Sequence, residues 1–248
     1  MNLEQRGNRL LLSLAGTDVA LLAPHCREMS LRQGSILQEQ EEPVEEVYFP
    51  LSGVISLVTV MERGDMLQTA MIGSEGAIGA LGGLGPRNAF SRALVQLPGK
   101  AVVIPVALFQ AAVDQSHRFR NLILRYKEML LAQVQQTAAC NALHPLEARL
   151  ARWLLQALDR VDTPDLPLTQ GFIAHMLGTH RSTISVMARK LQEANLISYS
   201  RGRILVLDWP KLEETACECY RKIRRRRRDA VFPTEQGRSD SEPVGPSW

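Results

Sequence analysis

Between Thr169 and Leu191 the chain carries a spacing that few folds accommodate. Counting from Gln170, a small residue (Ala174) stands fifth, a glycine (Gly178) ninth and an isoleucine (Ile184) fifteenth. Two helices that cross steeply over a tight turn need this order. A small side chain lies under the crossing, a glycine opens the turn, and apolar side chains fill the shared interior. Ile173, Leu177, Ile184 and Met187 are the expected interior set. Thr169 is placed to cap the first helix, and Thr179 or His180 the second, which is expected over Arg181 to Glu193. The pattern is that of a helix-turn-helix.

The second helix of such a unit presents polar side chains near its start. Arg181, Ser182 and Ser185 are the candidates for base edges, with Thr183, Arg189 and Lys190 nearer phosphates. Thr169, Gln170, Thr179 and His180 flank the two helix starts, where backbone N–H groups suit a phosphate. Val186 either meets a thymine methyl or packs inward. A strand, turn and strand follow at Leu196 to Tyr199, Ser200 to Arg203 and Ile204 to Leu207, with Arg201 and Arg203 at the tip. A hairpin in that position is a wing suited to the phosphate backbone.

Charge agrees with this placement. Met1 to Leu143 carries 12 Lys/Arg against 13 Asp/Glu, His144 to Arg228 carries 16 against 9, and the last 20 residues 1 against 4. Basic charge confined to one segment is the footprint of a nucleic-acid-binding module. Five of those charges form the run Arg224 to Arg228, which reads as a solvated helix end.

Upstream, Met29 to Pro105 reads as short strands punctuated by turns, among them Val47 to Leu51 and Val54 to Val60. Such regular short strands suggest a sandwich or barrel. A helical leader, Asn8 to Leu22, precedes them. From Val106 to Leu143 neither Gly nor Pro interrupts, which allows a short helix and then a long one. The long helix places Phe119, Leu122, Ile123, Tyr126, Met129, Leu130, Val134 and Thr137 at three- and four-residue steps. That stripe either packs on its own domain or forms a dimer seam. Leu143-His144-Pro145 breaks the helix.

These segments resemble the Crp/Fnr family of bacterial regulators. Leu168 to Ala174, Arg181 to Ser185 and Arg201 to Ile204 are similar to its DNA-binding domain. Leu31 to Gly34, Val47 to Gly53 and Gly73 to Gly79 resemble its sensor domain. The resemblance implies an α+β chain in four parts. Residues 1–115 form a cyclic-nucleotide-binding-like β-roll of double-stranded β-helix or jelly-roll type. Residues 116–143 form a dimerisation helix, 144–223 a winged helix-turn-helix, and 224–248 a basic run with a disordered tail. It implies a cytoplasmic homodimer on a palindromic double-stranded DNA site, with RNA polymerase as a partner if the regulator activates.

The effector region implied by the resemblance comprises Gly73, Glu75, Gly76, Ile78, Gly79, Ala80, Ala89, Phe90, Ser91 and Arg92. Where cyclic-AMP-binding members carry a Glu for the ribose and an Arg-Ser pair for the phosphate, this chain aligns Ala80 and Ala89-Phe90. Phe90 is expected to fill part of the pocket, and binding of cyclic AMP in the usual manner is not expected, because a buried anion needs a cation or hydrogen bonds. The Fnr-type iron–sulfur cluster draws its cysteines mostly from near the N-terminus, where Cys26 stands alone. His25, His117 and Cys26 read as ordinary residues rather than haem ligands. Cys26, Cys140, Cys217 and Cys219 have neither disulfide-scaffold nor zinc-site spacing and are expected as free thiols that pack or sit at a surface. No metal or cofactor is therefore expected. No phosphate loop, nucleophile elbow or clustered ligand set points to an enzyme. Neither a signal-peptide pattern nor an apolar run of membrane-spanning length is seen. The competing reading is a sensor module that acts through protein contacts and has no salt-dependent affinity for DNA.

Overall fold

The structure, a computed structural model, describes residues 7–85 and 88–231. Met1 to Arg6 and the expected disordered stretch beyond Val231 lie outside the described residues. The helical leader is two short helices, α1 (Arg9–Leu12) and α2 (Gly16–Leu22). The Asn8 side-chain oxygen caps α1, and its Nδ2 donates to Pro50 O at 2.8 Å and Gly76 O at 2.9 Å. One buried amide thus ties the leader to two turns of the sheets.

Seven strands follow: β1 (Arg27–Leu31), β2 (Ile36–Gln38), β3 (Glu46–Pro50), β4 (Val54–Val60), β5 (Met66–Ile72), β6 (Arg92–Leu97) and β7 (Gly99–Pro105). They form two antiparallel sheets, in the orders β1-β7-β3 and β2-β6-β4-β5, with the interior filled by Tyr48, Ile55, Val95, Ala101 and Val103. This is the expected β-roll. Gly79, with φ of 77°, passes so close to β3 that an added Cβ would stand 2.4 Å from Glu46 O.

Two helices leave the β-roll, α3 (Val106–Gln115) and α4 (His117–Leu143), divided at Ser116. The Ser116 backbone is extended, and its Oγ accepts from Phe119 N at 3.1 Å, so one residue ends the first helix and caps the second. The apolar stripe of α4 turns inward. Phe119, Leu122, Ile123, Tyr126, Met129, Leu130 and Thr137 are buried within their own chain and Val134 is half-buried, packed against the β-roll. Those residues hold α4 to its subunit and are not the surface through which a second copy would pair. What faces outward at seven-residue steps is Leu124, Leu131 and Ala138.

Beyond the His144-Pro145 break come α5 (Leu146–Leu158), β8 (Asp165–Leu166), α6 (Gln170–Leu177), α7 (Arg181–Glu193), β9 (Ile197–Ser200), β10 (Arg203–Val206), α8 (Trp209–Thr215) and α9 (Cys219–Val231). β8, β10 and β9 form one antiparallel sheet. Arg224 to Arg228 lie in α9, as a helix end should, but the run is not solvated throughout. Helical spacing turns Arg227 inward to Asp159 at 3.0 Å, where Tyr220 Oη also donates at 3.0 Å. The cysteines are free thiols as expected, and three of them are buried together. Cys140 on α4 meets Cys217 and Cys219 at the start of α9, because α9 folds back along α4.

Candidate nucleic-acid interface

The helix-turn-helix forms as its spacing requires. Ile173, Ala174, Leu177 and Ile184 are buried between α6 and α7, and Met187 is partly buried against them. Gly178 closes α6 in the left-handed region, with φ of 60°. Thr169 caps α6, its Oγ1 accepting from Phe172 N at 3.2 Å. His180, not Thr179, holds the cap position of α7, and its side chain makes no capping bond. The first-turn N–H groups of α7 therefore have no side-chain acceptor, which suits a phosphate oxygen.

Positions 181, 182, 185, 186 and 189 fall within an arc of about 140° on α7 at 3.6 residues per turn. Arg181, Ser182, Val186 and Arg189 are exposed there. Val186 lies on this outer face and does not pack inward, at 41% exposed. Ser185 is half-buried, and its hydroxyl donates to Gln170 Oε1 at 2.5 Å, joining α7 to the start of α6. Thr183 and Thr179 are half-buried at the edge of the same surface. Arg189 lies 3.9 Å from Glu193 and Lys190 3.6 Å from Glu147, both exposed enough for a phosphate to compete.

In the wing, Arg201 and Gly202 both adopt positive φ, 49° and 76°, which fits a tight two-residue hairpin turn. Arg201 stands exposed at the tip. Arg203 is turned back and pairs with Asp165 on β8, with Nε at 3.0 Å from Oδ2. That hydrogen bond, with the carboxylate's charge, holds the guanidinium above its ordinary value. Arg203 thus braces the wing's sheet.

The expected effector residues do not form one polar pocket. Ala80, Ala89 and Ile78 are buried, whereas Phe90 is 79% exposed and fills nothing. Arg92 is engaged by Glu39 at 2.9 Å, and the Ser91 carbonyl accepts from Gln38. Gly76 lies under the Tyr126 ring, whose hydroxyl donates to Ala77 O at 2.7 Å. Glu75 is turned to another task. Its Oε2 accepts from Gly73 N at 3.1 Å, and its Oε1 from Arg160 Nε at 2.8 Å, beyond the end of α5.

Glu75 and Arg160 are the charged part of a buried joint between the β-roll and the winged helix. Arg160 also donates to Met71 O at 2.9 Å. Trp153 of α5 donates its indole N–H to Gln68 Oε1 on β5. Gln68 in turn donates to Ser56 at 3.0 Å, and Ser56 to Gln96 at 2.8 Å, deep in the β-roll. Gln33 reaches Pro167 O at 2.7 Å, and Gly178 sits against Leu67. Sequence reasoning missed this joint, since nothing local marks Glu75 and Arg160 as partners.

A β-roll joined through a long helix to a winged helix-turn-helix defines a class of DNA-binding regulators that carry a sensor domain. Residues 148–215 match the Crp-like helix-turn-helix domain and residues 28–116 the cyclic nucleotide-binding domain. The chain belongs to the Crp/Fnr family of transcriptional regulators, a family of regulators and not of enzymes. It is 26% identical over 176 residues to the global nitrogen regulator of Synechococcus elongatus, covering 67% of this chain and 79% of that protein. The Nostoc global nitrogen regulator is 25% identical over 174 residues, covering 66% and 78%. Among solved structures, a Crp/Fnr-family regulator from Eubacterium rectale shares the fold with a TM-score of 0.68 at 20% identity, covering 83% of this chain and 96% of that one. No helix among the described residues is long and apolar enough to cross a membrane.

Proposed function

We propose that this regulator reads a two-fold symmetric duplex site as a homodimer, with α7 of each subunit in a major groove, and that it does so without cyclic nucleotide. The observation that carries the reading is the outer face of α7, where Arg181, Ser182, Val186 and Arg189 stand exposed above a closed core. Arg181 is suited to guanine O6 and N7, Ser182 and Ser185 to neighbouring base edges, and Val186 to a thymine methyl. Thr169, Gln170, Thr179, His180, Thr183, Arg189, Lys190 and the wing's Arg201 supply phosphate contacts that fix the register.

The dimer reading rests on the outward face of α4. Leu124 is 40% exposed and Leu131 53%, one heptad apart, with Ala138 a heptad further. Around Leu124 lies an open concavity of 660 Å³ lined by Arg118, Asn121, Arg125 and Glu128. A parallel pairing of α4 would place two α7 helices on one side of the assembly, about 34–36 Å apart, one turn of DNA. Independence from cyclic nucleotide rests on Ala80 and Ala89, apolar and buried where an anion would need charge or donors.

Titration of duplex DNA at two salt concentrations, with and without cyclic AMP, tests the reading. The expected result is an affinity that falls steeply with salt and is unchanged by the nucleotide. Absence of binding at either salt would overturn it in favour of a module acting through protein contacts.

A further inference from the structure

Four side chains with soft or borderline metal-ligand atoms converge where α4 ends and α9 begins. The sulfurs of Cys140, Cys217 and Cys219 and a ring nitrogen of His144 all lie within 4.8 Å of one another. Cys140 Sγ is 3.4 Å from Cys217 Sγ, and Cys219 Sγ is 3.6 Å from His144 Nδ1. The three sulfurs are buried and His144 is half-buried. We propose that this Cys3His cluster is a structural zinc site that fixes the hinge between α4 and the winged helix.

The spacing carries the first part of the case. Zinc binds thiolate at about 2.3 Å and imidazole at about 2.0–2.1 Å in a tetrahedron. The edges of that tetrahedron are then about 3.5–3.8 Å long. The observed separations need only small side-chain adjustments to reach those values. An iron–sulfur cluster would need its ligands further apart than this group stands. Cys140 and His144 are four residues apart, so the last turn of α4 brings both to one face. Cys217 and Cys219 straddle the start of α9, the first outside the helix and the second its first residue.

The surroundings carry the second part. His144 Nε2 lies 3.3 Å from the Glu218 carboxylate, which leaves Nδ1 toward the sulfurs. A ligating histidine held from behind by a carboxylate is the usual support of a zinc site. Arg149 and Arg152 lie within electrostatic range of the thiols, and the buried Nε of each lacks a hydrogen-bond partner. Neither has a carboxylate partner among the described residues. Zinc with three thiolates and a neutral imidazole carries a net charge of −1, which would offset one of those guanidiniums. A Cys140–Cys217 disulfide would engage two of the four groups and leave Cys219, which accepts from Gln136 Nε2 at 3.1 Å, and the His144–Glu218 pair outside it.

The consequence is mechanical. His144 lies in the break that separates α4 from α5, while the Cys217–Cys219 segment opens α9. Zinc would clamp these elements together and so set the direction in which the winged helix leaves the long helix. No residue of α7 takes part, so the metal site stands or falls independently of the DNA reading.

Full-length protein purified under reducing conditions should contain about one zinc per chain by elemental analysis. Replacement with Co2+ should give the visible bands of tetrahedral cobalt and a sulfur-to-cobalt charge-transfer band. Cys219→Ser should lower that band by about one third, for one thiolate of three, and Cys26→Ser should leave it unchanged. Zinc-free protein whose thiols all react freely, and which gives no tetrahedral cobalt spectrum, would overturn the proposal. So would a Cys140–Cys217 disulfide in the purified chain, or bound iron with sulfide. The metal content of the unmodified chain decides the matter even if a variant fails to fold.

Discussion

Replacing Glu75 by glutamine removes one charge from a pair whose side chains are 7% and 1% exposed, at the joint between the two domains. With Arg160 Nε 2.8 Å from Oε1, the attraction at an effective dielectric of about 20 is about 6 kcal/mol. Desolvation takes back much of that, and breaking one side of a buried pair costs about 3–5 kcal/mol. Glutamine keeps one acceptor for Arg160, so Glu75→Gln should cost about 3 kcal/mol, the lower end of that range. Burial pushes the Glu75 carboxyl up and the Arg160 guanidinium down. For Glu75 the charges of Arg160 and Arg227 outweigh burial and hold it below its ordinary value of 4.5. A depressed carboxylate gives stability that is complete above the unfolded value and lost as pH falls through the folded one. The joint should therefore hold until the pH is below 4.5, and Glu75→Gln should flatten that acid limb. Urea unfolding followed through Trp153 fluorescence reads the effect, since this indole is buried in the same joint. Glu75→Met with Arg160→Met together should cost less than either alone, because neither partner is then left buried without the other. A Glu75→Gln loss below about 1 kcal/mol, or single losses that simply add in the double variant, would show that the pair does not hold the joint.

Other expectations follow from the same contacts. Arg181→Ala should cost about 1–3 kcal/mol of specific binding and relax preference at one base pair per half-site, read by competition against variant duplexes. Arg189→Ala should weaken binding evenly across sequences and reduce the salt slope by about one. Leu131→Glu should convert the chain to a monomer in sedimentation while leaving its melting little changed. Leu122→Ala, in the buried stripe, should instead cost about 2–5 kcal/mol of stability. Gly178→Ala forces a left-handed backbone on a residue with a Cβ and should cost about 1–2 kcal/mol. Its contact with Leu67 adds little, since the nearest atom, Cδ1 at 2.9 Å, ends a flexible side chain.

What was legible in the sequence was local. The Ala174, Gly178 and Ile184 spacing reports neighbours within two turns of helix, and α7 spans Arg181–Glu193 as that spacing predicts. The wing was legible for the same reason, its strands each one residue from where composition placed them. Periodicity showed that α4 is a helix with an apolar stripe but not what the stripe faces. Burial of Tyr126 under Gly76 depends on a residue 50 positions away. Glu75 and Arg160 are 85 apart, and Cys140 and Cys217 77 apart. Spacing rules for metal sites assume ligands on one local element, and here two helices bring them together. The basic run misled because charge count does not say which way a side chain turns. Arg227 faces Asp159 because α9 has an inner side.

In the proposed function, α7 reads sequence from a symmetric pair of subunits without cyclic nucleotide. Selection of bound sites from random duplex DNA, with the full-length protein and no ligand added, examines that reading without further assumptions. The expected outcome is an enriched two-fold symmetric motif with half-sites about one helical turn apart. A pool that stays unenriched, or a motif of a single half-site, would contradict it.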